Sequence, residues 1–131
     1  MTEAPTAPPS DPAGGVVYVV EVLSKRADFL KAARARRAGT TAYTLQARKR
    51  HPDDADPALI RVGFTCSKKV GNAVARNRAK RRLREIARLV LPTGGRPGWD
   101  YVLIGRPVVT ATHSFEAMLT DMRAALAKVH G

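Results

Sequence analysis

One stretch, SKKVGNAVARNRAKRRLREIAR from Ser67 to Arg88, constrains this chain more than any other, because it is strongly cationic and helically patterned at once. Lys68, Lys69, Arg76, Arg78, Lys80, Arg81, Arg82, Arg84 and Arg88 stand there against a single acid, Glu85. On a helix advancing roughly 100° per residue, Leu83, Ile86, Ala87 and Val90 fall on one side with Ala79 beside them. That stripe requires a core to pack on. Asn77, Arg81, Arg84 and Arg88 fall on the opposite side, flanked by Arg78 and Arg82, and Glu85 stands one turn beyond Arg81, where the two can pair. The fold must therefore bury one face of this helix and leave the other to solvent or to an anionic partner. Asn72 is expected to cap the helix start through its side-chain oxygen, Gly71 to permit the turn before it, and Pro92 to mark its far end.

The rest of the chain supports an anionic partner. Lysine and arginine total 23 against 11 acids, a formal net charge of +12. Residues 1 to 15 contain Glu3 and Asp11 and no basic residue, so the remainder holds all 23 cations against nine acids, a net of +14. An excess of that size attracts polyanions at long range and makes their binding salt dependent. The first 15 residues, rich in proline and small polar residues, read as a disordered leader without the features of a secretory signal. Residues 16–131 are expected to form one domain, its basic surface suited to a nucleic acid. No apolar run approaches the roughly 20 residues that span a bilayer, and the helix stripe lacks the Trp and Phe anchors of a membrane-surface helix. The lone Cys66 forms no internal disulfide and fits a reducing cytoplasm.

Local patterns outline the elements. Val16 to Val20 is β-prone and suits an added edge strand. Ser24 reads as the N-cap of a helix running to about Arg37 and closed by Gly39, with Phe29, Leu30 and Ala33 on its inner face. From Thr41 to Arg48 the residues alternate, Tyr43, Leu45 and Ala47 on one side and Thr44, Gln46 and Arg48 on the other. After a loop from His51 to Ala58, a second alternating strand carries Ile60, Val62, Phe64 and Cys66 on one face, and the two strands are expected to pair as an antiparallel hairpin. Tyr101 to Ile104 is continuously apolar, as a strand covered on both faces would be. Ser114 is expected to cap a last helix that buries Phe115, Met118, Leu119, Met122, Leu126 and Val129. Together these give an α+β fold, an α/β sandwich of one sheet with three helices packed on it.

Catalytic chemistry is missing from this pattern. His51, His113 and His130 lack cysteine or carboxylate neighbours at ligand spacing, and Asp53, Asp54 and Asp56 read as a solvated turn beside a proline. The chain has no phosphate-binding glycine loop, nucleophile elbow or paired general acid and base. The residues describe a binding protein with no catalytic residue and no metal of its own.

Within SKKVGNAVARNRAKRRLRE the order Lys68, Lys69, Gly71, Asn72, then Arg76, Asn77, Arg78, then Lys80, Arg81 and Arg84, directly after the strand RVGFTCS, closely resembles the protein subunit of bacterial ribonuclease P. The resemblance extends more weakly from Leu23 to about Lys128, through ADF at Ala27 to Phe29 and DYVLIGR at Asp100 to Arg106. It implies a mixed sheet of about four strands with a left-handed βαβ crossover, an exception to the usual right-handed rule. It also implies assembly with a catalytic RNA that holds the Mg²⁺ ions and removes the 5′ leader of precursor tRNA, the protein positioning that leader. The resemblance assigns Lys68, Lys69, Asn72, Arg76, Asn77, Arg78, Lys80, Arg81, Arg84 and Arg88 to RNA, a merely solvated face being the competing reading of the stripe. A cleft between the first helix and the sheet would take the single-stranded leader at Phe29, Ala33, Thr44 and Gln46, with Ala33 standing where relatives often place a second aromatic. The alternative function is a ribosomal or RNA-chaperone protein that binds structured RNA without processing it, a reading based on charge alone.

Overall fold

Two alternating strands and one continuously apolar strand build the centre of the molecule. The computed structural model describes residues 18–54 and 56–131, so the expected leader and the start of the Val16 to Val20 run lie outside the described residues. The elements in chain order are β1 (Val20–Val22), α1 (Arg26–Ala33), β2 (Arg36–Gly39), β3 (Tyr43–Lys49), β4 (Ile60–Thr65), α2 (Ala73–Gly94), β5 (Trp99–Gly105), α3 (Val109–Thr112) and α4 (Phe115–His130). The five strands form one mixed sheet in the order β1-β4-β5-β3-β2. β4 and β5 are adjacent and parallel, joined by α2 as a βαβ crossover, while β3 runs antiparallel to β5 and β2 antiparallel to β3. β1 lies parallel to β4 at the edge of the sheet, but it begins at Val20, where the valine run expected to form the edge strand ends.

The sheet has two unequal faces. On one, Tyr43, Leu45, Ile60, Val62, Tyr101 and Leu103 share a core with Leu83, Ile86, Ala87 and Val90 of α2 and with Met118, Met122, Leu126 and Val129 of α4. The stripe read from the α2 sequence is thus the buried face of that helix. On the other face a smaller cluster of Leu23, Ala32 and Val102, with Phe29 and Ile104 at its margin, docks α1. β5 is accordingly apolar on both sides, Tyr101 and Leu103 facing one core and Val102 the other.

Several expectations need correction. β3 and β4 do not pair as a hairpin, because β5 inserts between them and hydrogen-bonds to both. The first helix does not run to Arg37. It starts at Arg26 after Lys25, without a side-chain cap from Ser24, and ends at Ala33. Arg36 to Gly39 becomes β2, with Arg36 opposite Ala47 and Gly39 opposite Thr44. Nothing in Arg-Arg-Ala-Gly favours a strand locally; the free edge of β3 and the burial of Ala38 impose it. α2 continues through Pro92 to Gly94, since a proline in the last turn removes only one helical donor, and Gly95 N–H closes the end on the Leu91 carbonyl at 2.9 Å. The loop after β3 is the expected turn: Asp54 accepts from Arg48 and from His51 N–H, and Asp56 accepts from Ala58 N–H.

A buried charge cluster ties the sheet to that loop. Asp100, fully buried on β5, accepts from Arg50 Nη1 at 2.8 Å and from Nε and Nη2 of Arg61, both at 2.8 Å. Arg50 also donates to the carbonyls of Trp99, Asp56 and Leu59. Arg48 and Asp28 complete the group, Arg48 3.8 Å from Asp100 and Asp28 3.5 Å from Arg61. With Asp54 on Arg48, three arginines are matched by three aspartates.

Candidate nucleic-acid interface

The start of α2 is built from its sequence residue by residue. Gly71 takes φ +138°, and a Cβ there would stand 2.8 Å from the Ala75 side chain, so glycine is required twice over. Asn72 Oδ1 then accepts from Ala75 N–H at 3.0 Å, the expected N-cap. The cap occupies the Asn72 oxygen and leaves its amide group exposed.

Beyond the cap the polar side of α2 splits into three rows. Arg76, Lys80 and Arg84, one turn apart, lie along the flank beside the C-terminal end of β4. The Arg84 guanidinium sits 5.9 Å over the Phe64 ring, and the three cations oppose the rise that burial imposes on the pKa of the Cys66 thiol. Asn77 and Arg81 crown the helix and are exposed, as is Arg78 on the far flank. Lys69 is exposed in the turn that leads into the helix.

Two cations in this stretch have other employment. Arg82 donates to the carbonyls of Thr110 at 2.9 Å and His113 at 2.7 Å, fastening α3 to α2. Glu85 pairs with Arg88, not with Arg81, through two bonds of 2.8 and 2.7 Å. Helical side chains lean toward the N-terminus, so Arg88 reaches back to Glu85 while Arg81 points away from it. The bonding holds the Glu85 carboxyl below its usual pKa and leaves Arg88 charge-matched. The unmatched cations among the described residues of this helix are therefore concentrated in its N-terminal half.

The other expected site lies on the α1 side of the sheet. The edge of the Phe29 ring meets the backbone of β4: a Cβ on Gly63 would come within 2.5 Å of it. It is half-buried beside Leu23, Val102 and Ile104, so its first role is to dock α1, with part of the ring left accessible. Thr44 and Gln46 do occupy the face opposite Tyr43 and Leu45, opposite Ile104 and Val102 respectively in the β3–β5 register. Gln46 is buried, whereas Ala33 is exposed at the end of α1. One side chain here escaped notice in the sequence: Arg106 Nη2 donates to Thr44 Oγ1 at 3.1 Å and closes this end of the cleft. The alternation through Val102 and Ile104 was the signal that would have placed Arg106 on this face. The described residues contain no group of three metal-ligating side chains.

The resulting arrangement is a cation-rich helical ridge on one face of the sheet and, on the α1 face, a part-buried group of Phe29, Ile104, Thr44 and Arg106, the first suited to gripping phosphates and the second to an unpaired strand. The model of the ribonuclease P family matches residues 19–130. The ribonuclease P protein component of Ruegeria pomeroyi is 68% identical over 111 residues, covering 85% of this chain and 87% of its own. That of Caulobacter vibrioides is 52% identical over 106 residues, covering 81% and 68%. Among solved structures, the ribonuclease P protein of Thermotoga maritima superposes with a TM-score of 0.64 at 25% identity, over 85% of this chain and 99% of that one. The Staphylococcus aureus protein shares the fold with a TM-score of 0.60 at 23% identity, over 84% and 97%.

Proposed function

Because this chain belongs to the ribonuclease P protein family, we propose that it serves as the protein subunit of ribonuclease P, assembling with the enzyme's catalytic RNA through the outer face of α2. The observation that carries this reading is the division of α2 itself. Its apolar stripe is locked in the core, so its position is fixed, while Asn77, Arg78, Arg81 and Arg84 stand free on the other side. A rigid support spares the RNA-binding side chains much of the ordering cost of assembly. Arginine forks grip phosphate in pairs of hydrogen bonds, and Lys68, Lys69 and Lys80 add point charge.

The cleft at Phe29, Thr44 and Gln46 would hold the single-stranded 5′ leader of precursor tRNA, with Arg106 at its end as an added phosphate contact. Ala33 in place of a second aromatic reduces stacking there. The cleavage belongs to the RNA in this reading: Mg²⁺ ions held by the RNA activate the water that breaks the phosphodiester at the mature 5′ end. The protein's part is to bind, orient and neutralise. Acting on precursor tRNA, it would work in the cytoplasm.

Reconstitution tests the proposal. The full chain, combined with a bacterial ribonuclease P RNA at low Mg²⁺, should stimulate removal of the precursor tRNA leader over the RNA alone. Lack of stimulation would refute it, and cleavage by the chain without RNA would refute the division of labour.

A further inference from the structure

On the far flank of α2 from the Arg76, Lys80 and Arg84 row, a pocket of about 290 Å³ opens between the C-terminal half of that helix and α4. That volume is just below the roughly 300–1,000 Å³ typical of drug-sized ligand sites. Leu126 and Leu89, which leaves 43% of its surface exposed, supply part of the pocket's apolar lining. Its rim carries Arg96 and Arg123, both exposed, and none of the residues around it is acidic. Neither arginine has a carboxylate partner among the described residues.

The back wall is His130, whose Nε2 shares a hydrogen bond of 2.7 Å with Tyr101 Oη. Tyr101 Oη also accepts the backbone N–H of Arg96 at 2.8 Å. His130 Nδ1 is buried without a partner among the described residues. Trp99 stacks edge-on against the same imidazole, with 4.4 Å between ring centroids.

We propose that this pocket binds a single unpaired nucleotide of an RNA strand, its phosphate held by the Arg96 and Arg123 guanidiniums and its base laid on Leu89 and Leu126. Two unmatched guanidiniums in one pocket with the apolar side chains of Leu89 and Leu126 complement a phosphate joined to a flat, weakly polar ring, and neither half of the pocket alone selects that combination. Such a site would give the protein a second RNA contact, separate from the outer face of α2 and from the α1 cleft. The inference rests on the RNA-binding reading for the source of the nucleotide. Its test uses neither the catalytic RNA nor precursor tRNA, so the two fail independently.

Trp99 is the only tryptophan in the chain and lies one ring behind the pocket wall, so its emission reports on this site. Adenosine 5′-monophosphate, adenosine and inorganic phosphate would each be titrated into the full chain at constant ionic strength, with calorimetry in parallel. The nucleotide should give a saturable change in Trp99 emission at least about tenfold tighter than either fragment, the equivalent of 1.4 kcal/mol. Arg96→Ala with Arg123→Ala should abolish it, and Arg81→Ala with Arg84→Ala should leave it intact. Absence of saturation, equal affinity for phosphate alone, or persistence in the Arg96→Ala and Arg123→Ala variant would each overturn the proposal.

Discussion

At the scale of single residues, Gly63 and His130 show how closely this fold is fitted. Gly63 exists to admit Phe29: with a Cβ 2.5 Å from the ring, Gly63→Ala must push the phenyl group off the sheet and loosen α1. Overpacking of this kind costs about 1–3 kcal/mol, so a thermal melt should show a clear drop in Tm, partly recovered when Phe29→Leu is added. An unchanged Tm would mean that Phe29 does not rest on β4. His130 gives a pH signature. Burial, with the neighbouring Arg96 and Arg36 charges, lowers its pKa to about 4, against about 6.5 in an unfolded chain. The folded protein thus refuses a proton that the unfolded chain accepts. Its contribution to stability is complete above pH 6.5 and falls as the pH drops toward 4. Urea midpoints measured between about pH 7 and 4 should decline, and His130→Gln should flatten that decline in the upper part of the range, where the carboxylates remain ionised.

At the scale of elements, legibility followed length and period. α2 was readable because 22 residues of consistent periodicity fix both faces, and its cap, stripe and cationic side stand as the sequence indicated. β2 was unreadable because Arg36 to Gly39 has no strand preference of its own, and pairing with β3 decides its state. The β3–β4 hairpin failed for a related reason: two strands adjacent in sequence are separated in space by β5, and only the long α2 crossover reveals it. Within the site, Asn77, Arg78, Arg81 and Arg84 were placed correctly on the open face, but the partnering of Arg82 with α3 and of Arg88 with Glu85 depends on side-chain direction and on distant carbonyls. The Asp100 cluster was equally hidden, since its members come from α1, β3, β4 and β5 and from the loop that follows β3. Removing that carboxylate leaves Arg50 a buried, uncompensated charge and Arg61 with Asp28 alone, 3.5 Å away. Asp100→Ala should therefore lower unfolding free energy by about 3–5 kcal/mol, read from the urea midpoint, and a drop under about 1 kcal/mol would show the cluster to be incidental.

At the scale of the whole molecule, net charge and its placement are different quantities. Of the 23 basic residues, Arg48, Arg50 and Arg61 are matched by aspartates within the fold, Arg88 by Glu85, and Arg82 is bound to α3. The matched groups add little to a polyanion's attraction, which leaves the N-terminal half of α2 as the densest unmatched ridge in this part of the chain. Its rigidity comes from the same helix that supplies Leu83, Ile86 and Val90 to the core, so the interface and the fold share one element. The most direct test is the salt dependence of affinity between the full chain and a bacterial ribonuclease P RNA, for the natural sequence and for Arg81→Ala with Arg84→Ala. Every phosphate that an arginine no longer neutralises should reduce the slope of log K against log salt by about one, so the double variant should bind more weakly with a slope shallower by about two. An unchanged slope would contradict the account by placing both arginines in solvent.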